Sequence, residues 1–323
     1  MSPDTILITG ASGFIGGAVL AHLRDAGRPV RGTARRPAPG LELAPPLDPT
    51  ADWTPLLAGV DAVVHCAARV HVLRERSPDP LADFRRVNRD GTVLLAQQAA
   101  AAGVRRFVFI SSIAVNGRTT PPGRSFTAAD PPAPEDPYGV SKYEAETALF
   151  GIAAATGMEV VILRPPLVHG PGARGNFSTL LRAVKAGVPL PFGAVCDNRR
   201  SLVGLSNLVD LIGICIDHPT AGHQVFLAAD AESPSTAALL AEVARALGVR
   251  SRLIAVPPTW LEAMCRLAGK PVLAQQLLGN LRLDIDKNRE VLGWTPPVPL
   301  ADEMRRTASA LATRRCSVPR AEE

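Results

Sequence analysis

Thr9-Gly10-Ala11-Ser12-Gly13-Phe14-Ile15-Gly16 follows directly on the apolar run Thr5–Thr9 and opens the amphipathic stretch Phe14–Ala26. A strand that passes through a glycine-rich turn into a helix presents free N–H groups and positive potential at the sheet's carboxyl edge, where an anion such as pyrophosphate is favoured. One glycine makes the tight turn, one lets backbone approach the ligand, and the last lets the helix pack on the strand. The spacing is G-x-x-G-x-x-G rather than G-x-G-x-x-G, so the strand-loop-helix context carries the reading. Gly10, Ser12, Gly13, Phe14, Ile15 and Gly16 are the resulting candidate contacts to a dinucleotide.

Outward from this turn the rhythm continues. Apolar runs at Pro29–Ala34, Ala62–Cys66, Phe107–Ser111 and Val160–Leu163 alternate with helical stretches at Leu81–Ala102 and Tyr138–Ala155. Continuous apolar strands separated by helices predict a parallel, doubly wound α/β sheet with both faces covered. Gly27 and Gly103 stand where helix C-caps need positive φ. Pro-rich loops at 36–50 and 119–137 interrupt the pattern, and from 169 onward short elements with many prolines predict a smaller C-terminal substrate-binding lobe. The expected division is a Rossmann-type domain over 1–168, carrying a catalytic helix at 138–155, and a lobe over 169–323 with some segments returning to the sheet.

Composition narrows the class. With 323 residues, 46% hydrophobic and 20% charged, the chain reads as an ordinary globular enzyme. Five scattered cysteines without a C-x-x-C pair, and histidines without ligand spacing, point to reduced thiols and no metal site. The net charge of +5 comes from dispersed arginines with few aromatics, which argues against nucleic acid. The start shows neither a secretory leader nor a membrane span, so a cytoplasmic protein with no membrane insertion is expected.

The second strand ends Thr33-Ala34-Arg35-Arg36, without the acid that usually holds the adenosine ribose hydroxyls. Arg35 and Arg36 offer forked donors suited to a 2′-phosphate, so NADP(H) is the preferred cofactor and NAD(H) the alternative. Ala67 and Ala68, at the exit of the third strand, let backbone approach the cofactor closely, and Asp48 is a candidate for the adenine amine.

Tyr138 and Lys142 lie at i and i+4 on one helix face. A neighbouring ammonium, together with an oxidised nicotinamide ring, is expected to pull the phenol below its ordinary value near 10. Ser112, closing Phe109-Ile110-Ser111-Ser112, can orient the reacting oxygen toward Tyr138. Only four lysines occur, which gives Lys142 more weight.

With TGASGFIG (9–16), DAVVHCAA (61–68), VNRDGT (87–92), FISSIAVNG (109–117), YGVSK (138–142), LRPPLVHGPG (163–172), NRRSLV (198–203) and LGWTPP (292–297), the chain resembles the extended short-chain dehydrogenase/reductase family, in its NAD-dependent epimerase/dehydratase branch. ARVHVLRE and PYGVSKYEAE resemble most closely bacterial O-antigen 4-ketoreductases and 4-epimerases of UDP-N-acetylhexosamines. The resemblance implies a Ser112–Tyr138–Lys142 triad, cofactor contacts at Tyr138, Lys142 (on the nicotinamide ribose) and Pro165, substrate contacts at Ser112, Asn176 and Arg200, a nucleotide-sugar substrate and a homodimer. Departures are Leu167 and His169 in place of Asn and Tyr, Asn116-Gly117 in place of Tyr-Gly, and only Arg282 for a missing Arg-Pro-Gly-Asp element.

Four functions compete. The first is reduction of a UDP-4-keto-6-deoxy-N-acetylhexosamine in surface polysaccharide synthesis, favoured by Arg35 and Arg36 because a net reductase draws on NADPH. The second is a UDP-glucose or UDP-GlcNAc 4-epimerase, which recycles its cofactor. A reductase of a non-sugar ketone and a non-catalytic NAD(P) sensor complete the set, and the intact triad argues against the sensor. Ile113-Ala114 after Ser112, in place of an acid pair, argues against a 4,6-dehydratase.

Overall fold

The computed structural model describes residues 4–70, 77–173, 175–269 and 271–313. In chain order the first half holds β1 (Thr5–Thr9), α1 (Phe14–Asp25), β2 (Val30–Ala34), β3 (Glu42–Leu43), α2 (Thr54–Leu57), β4 (Val60–His65), α3 (Pro80–Phe84), a π-helical stretch (Arg85–Gly91), α4 (Thr92–Ala101), β5 (Arg106–Ile110), a 3-10 turn (Ile113–Val115), α5 (Pro137–Thr156) and β6 (Glu159–Arg164). The second half holds β7 (Leu167–His169), α6 (Asn176–Lys185), β8 (Leu202–Gly204), α7 (Leu205–Asp217), β9 (Gln224–Leu227), α8 (Thr236–Ala246), α9 (Pro258–Leu267), α10 (Pro271–Leu278), α11 (Asp286–Leu292) and α12 (Leu300–Thr313).

Seven strands form one parallel sheet in the order β3-β2-β1-β4-β5-β6-β9. The chain winds one way from β1 to β3 and the other way from β4 onward, so a crevice opens at the carboxyl ends of β1 and β4. This is the Rossmann-type arrangement expected from the alternating pattern. Ile6, Ile8, Val64 and Val161 face α1 and α7 on one side, while Leu7, Val63, Phe107 and Ile162 face α4 and α5 on the other. Burial on both faces explains why these strands read as unbroken apolar runs.

Arg106 in β5 clamps the two halves together. Its guanidinium holds Glu159 at 2.6 Å and donates to the carbonyls of Cys215, Ile216 and His218 at the end of α7. A cation there satisfies helix-terminal carbonyls that lack intrahelical partners. β7 and β8 pair in a separate two-stranded sheet, and Phe177, Leu202, Leu240 and Met304 build a satellite core with α6, α8 and α12.

Three expectations change. The helix read as Leu81–Ala102 is broken into α3, the π-helical stretch and α4. A Cβ on Gly91 would lie 2.7 Å from the carbonyl carbon of Leu47, so the wider turn sits where the backbone of the 36–50 loop presses on the helix. That Pro-rich loop, for which no strand is expected, carries the short strand β3. The third strand ends at His65, and Cys66 follows it as a backbone contact to Thr9.

Candidate active site

Every element that reaches the crevice does so from a strand's carboxyl end. At β1, Gly10 has φ +69, and a Cβ there would sit 2.9 Å from the Cα of Ala67. A Cβ on Gly16 would sit 2.4 Å from the Gly10 carbonyl oxygen. The loop after β1 thus lies directly on the loop after β4, and Thr9 Oγ1 accepts from the N–H of Ala67 at 3.3 Å. The N-cap of α1 is Gly13, and no side chain caps the helix. The first-turn N–H groups face a cradle that side chains would fill, which fits the diphosphate of a dinucleotide. Ser12 and Gly13 are exposed, Phe14 and Ile15 half-buried, and Ala67 and Ala68 half-buried beside them.

Arg35 and Arg36 are exposed at the end of β2, and neither has an ion-pair partner among the described residues. Asp48 is engaged elsewhere. Its carboxylate accepts from the Thr50 N–H at 2.9 Å and lies 3.6 Å from Arg86, and the Thr50 hydrogen bonds hold it below the usual carboxylate range.

Ser112 closes the loop after β5 and caps the following turn, accepting from the Ala114 N–H at 3.2 Å. Pro165, buried after β6, fixes the same loop by accepting from the Ile113 N–H at 2.9 Å. α5 starts beside it because Asp136 caps the helix, accepting from the Gly139 N–H at 2.8 Å, with Pro137 at the first helical position. Gly139 permits the close approach, since a Cβ there would lie 2.7 Å from the Ala114 carbonyl oxygen. The structure therefore sets Ser112 beside Tyr138, close enough for its hydroxyl to favour the phenolate, with Lys142 one turn further along α5.

The electrostatics depart from the sequence expectation. Burial pushes the Tyr138 phenol up to about 12; the Ser112 hydrogen bond acts against this and Asp136 adds to it. Burial also pushes Lys142 down to about 7, opposed by Glu146. Lys142 does not depress its neighbour as expected, because desolvation dominates both groups and weakens the ammonium itself. The protein's own groups thus keep the phenol protonated. The Lys142 ammonium lies 3.9 Å from the centre of the Phe109 ring.

A buried scaffold holds these groups, and it includes Glu146, which helical position suggests for the exposed outer face but which is buried. Glu146, one turn beyond Lys142, accepts from the Ser111 hydroxyl and pairs with Arg164 at 2.5 Å. Arg164 also donates to Asn116 Oδ1 at 2.9 Å. Asn88, in the π-helical stretch, donates to Ser141 Oγ at 3.1 Å and to the Arg69 carbonyl at 3.0 Å, while Ser141 donates to the Tyr138 carbonyl at 2.7 Å. His65, fully buried, bonds Thr9 at 2.6 Å and Thr92 at 3.0 Å; burial beside Lys142 holds it neutral, down to about 3. Asn88 and Arg164 lie inside the quoted motifs, so the signal existed, but only their partners reveal the role.

The second half supplies one candidate anion contact. Arg200 is half-buried and donates to the carbonyls of Gly279 at 3.2 Å and Gln275 at 3.4 Å. Burial pushes it down to about 10, with no carboxylate beside it among the described residues. The adjoining Leu281 packs against Ile113, next to Ser112, which ties the Arg200 segment to the triad loop. Asn176 opens α6, and its neighbour Phe177 shares a core with Leu202. His169, read as a departure from the family pattern, is buried against Asp230 at 2.9 Å. Leu167 is exposed. Parts of ARVHVLRE, from His71 on, lie outside the described residues, as does Cys316.

Known proteins share this architecture. A UDP-glucose 4-epimerase of Vibrio cholerae is 44% identical over 313 residues, covering 95% of each chain. A short-chain dehydrogenase/reductase superfamily protein of Agrobacterium tumefaciens, solved with bound NAD, is 27% identical with a TM-score of 0.75, covering 97% of this chain and 98% of that one. MoeE5, solved with UDP-glucuronic acid and NAD, is 26% identical with a TM-score of 0.75, covering 97% of this chain and 100% of its own. The family model for NAD dependent epimerases/dehydratases matches residues 6–229, the span that holds the glycine cradle, the Ser112–Tyr138 pair and Lys142. With the family model spanning residues 6–229 and the relative 44% identical over nearly the whole chain, the chain belongs to the NAD dependent epimerase/dehydratase family, as an enzyme of the extended short-chain dehydrogenase/reductase type.

Proposed function

We propose that the protein moves a hydride to and from C4 of a UDP-hexose or UDP-N-acetylhexosamine, and that it works as a 4-epimerase. The observation that carries this reading is the placement of Ser112 beside Tyr138, with buried Lys142 one helical turn on. The 44% identity to a UDP-glucose 4-epimerase supports the choice of reaction. The Gly10–Gly16 cradle holds a nicotinamide dinucleotide, with Ala67, Ala68 and Pro165 along its path. That group, when bound, takes the hydride and returns it.

Tyr138 handles the proton. In oxidation the Tyr138 phenolate, which the Lys142 ammonium and the positive ring of an oxidised cofactor would stabilise, takes the proton of the C4 hydroxyl as the hydride leaves C4, giving a ketone and the neutral phenol; in reduction that phenol returns the proton to the carbonyl oxygen. Ser112 hydrogen-bonds the same oxygen and fixes its distance from the phenol. Lys142 stabilises the phenolate whenever it forms. Arg200 and Asn176 hold the diphosphate, and Arg200 is suited to it because a desolvated guanidinium without a carboxylate gains charge-assisted bonds from an anion. A neutral ketone substrate would leave Arg200 without that partner. The part of the chain beyond 169 is, in this reading, the substrate lobe.

A second reading, net reduction of a UDP-4-keto-6-deoxy-N-acetylhexosamine with NADPH, is favoured by one feature: Arg35 and Arg36 without acidic partners where a 2′-phosphate would lie. The experiment is a matrix of UDP-glucose, UDP-GlcNAc and the 4-keto sugar against NAD(H) and NADP(H). Epimer formation without net cofactor consumption supports the first reading. Stoichiometric NADPH oxidation with the keto sugar only supports the second. If neither occurs, UDP does not inhibit, and Arg200→Ala leaves KM for every active substrate unchanged, the nucleotide-sugar assignment is wrong.

A further inference from the structure

The outer face of α9 is apolar and uncovered. Trp260, Met264 and Leu267 are 70%, 63% and 90% exposed, while Leu261 packs inward. Spacings of four and three residues set the exposed three on one helix face. The segment leading into α9 adds exposed Ile254, Arg250 and Arg252, and exposed Val272 follows on α10. The one acid on α9, Glu262, is paired with Arg266 at 2.6 Å. Arg250 and Arg252 have no acidic partner among the described residues, so the exposed segment leading into α9 is cationic.

We propose that this face docks on an anionic lipid bilayer. A helix with Trp and Leu on one face and arginines at its margin lies in the headgroup boundary, its apolar side buried and its cations on the lipid phosphates. Arg250 and Arg252, without acidic partners among the described residues, would repel a second copy of the same face and favour an anionic surface; the exposed apolar side chains amount to on the order of 600 Å². That area suffices for a shallow interfacial contact. No helix among the described residues is long and apolar enough to cross a membrane, so the contact is peripheral. The same α9–α10 unit lines a cavity of about 550 Å³ with Glu262, Arg266, Val272, Ala274 and Leu278; Gln275 and Gly279, whose carbonyls hold Arg200, line it too. Docking therefore brings the bilayer to the element that supports the anion contact. The inference stands on the surface and does not depend on the substrate assigned above.

The molecule carries its own probe. Trp53 and Trp294 are buried, 1% and 3% exposed, so a change in tryptophan emission on adding vesicles reports Trp260. The full-length protein is mixed with vesicles of phosphatidylcholine, or of phosphatidylcholine with roughly one-third phosphatidylglycerol. Expected are co-sedimentation and a blue shift with the anionic vesicles only, weakened by salt. The Met264→Ser/Leu267→Ser variant, altered only at exposed positions, should keep its melting temperature and bind at least about tenfold more weakly. No binding to either vesicle, equal binding to both, or unchanged binding by the variant overturns the proposal. So does a wild-type dimer that ignores vesicles and falls apart in the variant, which would make the face a contact between copies of this chain.

Discussion

Gly16→Ala places a methyl group against backbone that cannot turn away. Its Cβ would lie 2.4 Å from the Gly10 carbonyl oxygen and 2.9 Å from the Gly10 carbonyl carbon. Ordinary contact lies near 3.5–4 Å, so α1 must move about 1 Å from the loop. Forcing an extra methyl into such a contact costs about 1–3 kcal/mol, offset by up to about 1 kcal/mol of better helix propensity. A net loss of about 1–2 kcal/mol lowers Tm by several degrees, at roughly 2–4 °C per kcal/mol for a chain of this size. The same shift pulls the uncapped N-terminus of α1 off the diphosphate, so cofactor Kd should rise about tenfold or more. Gly151→Ala is the control: a Cβ there meets nothing within 4 Å, and the change should stabilise α5 by about 0.5–1 kcal/mol. Thermal unfolding and calorimetric titration with NADH and NADPH read both effects. A Gly16→Ala protein that melts and binds like wild type would refute the close-packed cradle.

Replacing Arg35 and Arg36 by Ala should weaken NADPH more than NADH, by about 1.5–3 kcal/mol for each lost charge-assisted contact; equal weakening in titrations removes the 2′-phosphate role. Because burial pushes Lys142 down to about 7, its ammonium is complete below that pH and is lost as pH rises through it, so kcat should fall across that window. Lys142→Arg, whose charge persists, should flatten the fall, and an identical pH profile in the variant would contradict the assignment. Glu146→Ala leaves Arg164 buried without its carboxylate and should cost about 3–5 kcal/mol. Glu146→Ala/Arg164→Met should recover part of that loss in denaturant titrations, and strict additivity would show that the two do not act as a pair.

Much of this was legible in the sequence, and for identifiable reasons. The strand runs around Ile6-Leu7-Ile8 and Val63-Val64 are apolar because both faces are covered, and that pattern survives without any knowledge of partners. The cradle was readable because three glycines have fixed roles in a strand-turn-helix unit. Tyr138 and Lys142 were readable because helical spacing sets them on one face. Long-range physics was hidden. The break at Arg85–Gly91 lies where Leu47, from a distant loop, comes against Gly91 closely enough to exclude a Cβ. The Ser111–Glu146–Arg164–Asn116 scaffold spans two strand ends, a turn and a helix. The raised Tyr138 phenol was missed because desolvation, which sequence spacing does not report, outweighs a neighbouring charge.

The central claim is that Tyr138 moves the proton at C4 of the sugar. The direct measurement is turnover of Tyr138→Phe with the substrate identified in the UDP-sugar matrix, alongside cofactor binding by calorimetry. The account predicts a loss of at least about a hundredfold in kcat with cofactor binding retained, since the phenol is not a contact of the diphosphate. Turnover near the wild-type rate would contradict it and remove Tyr138 from the chemistry.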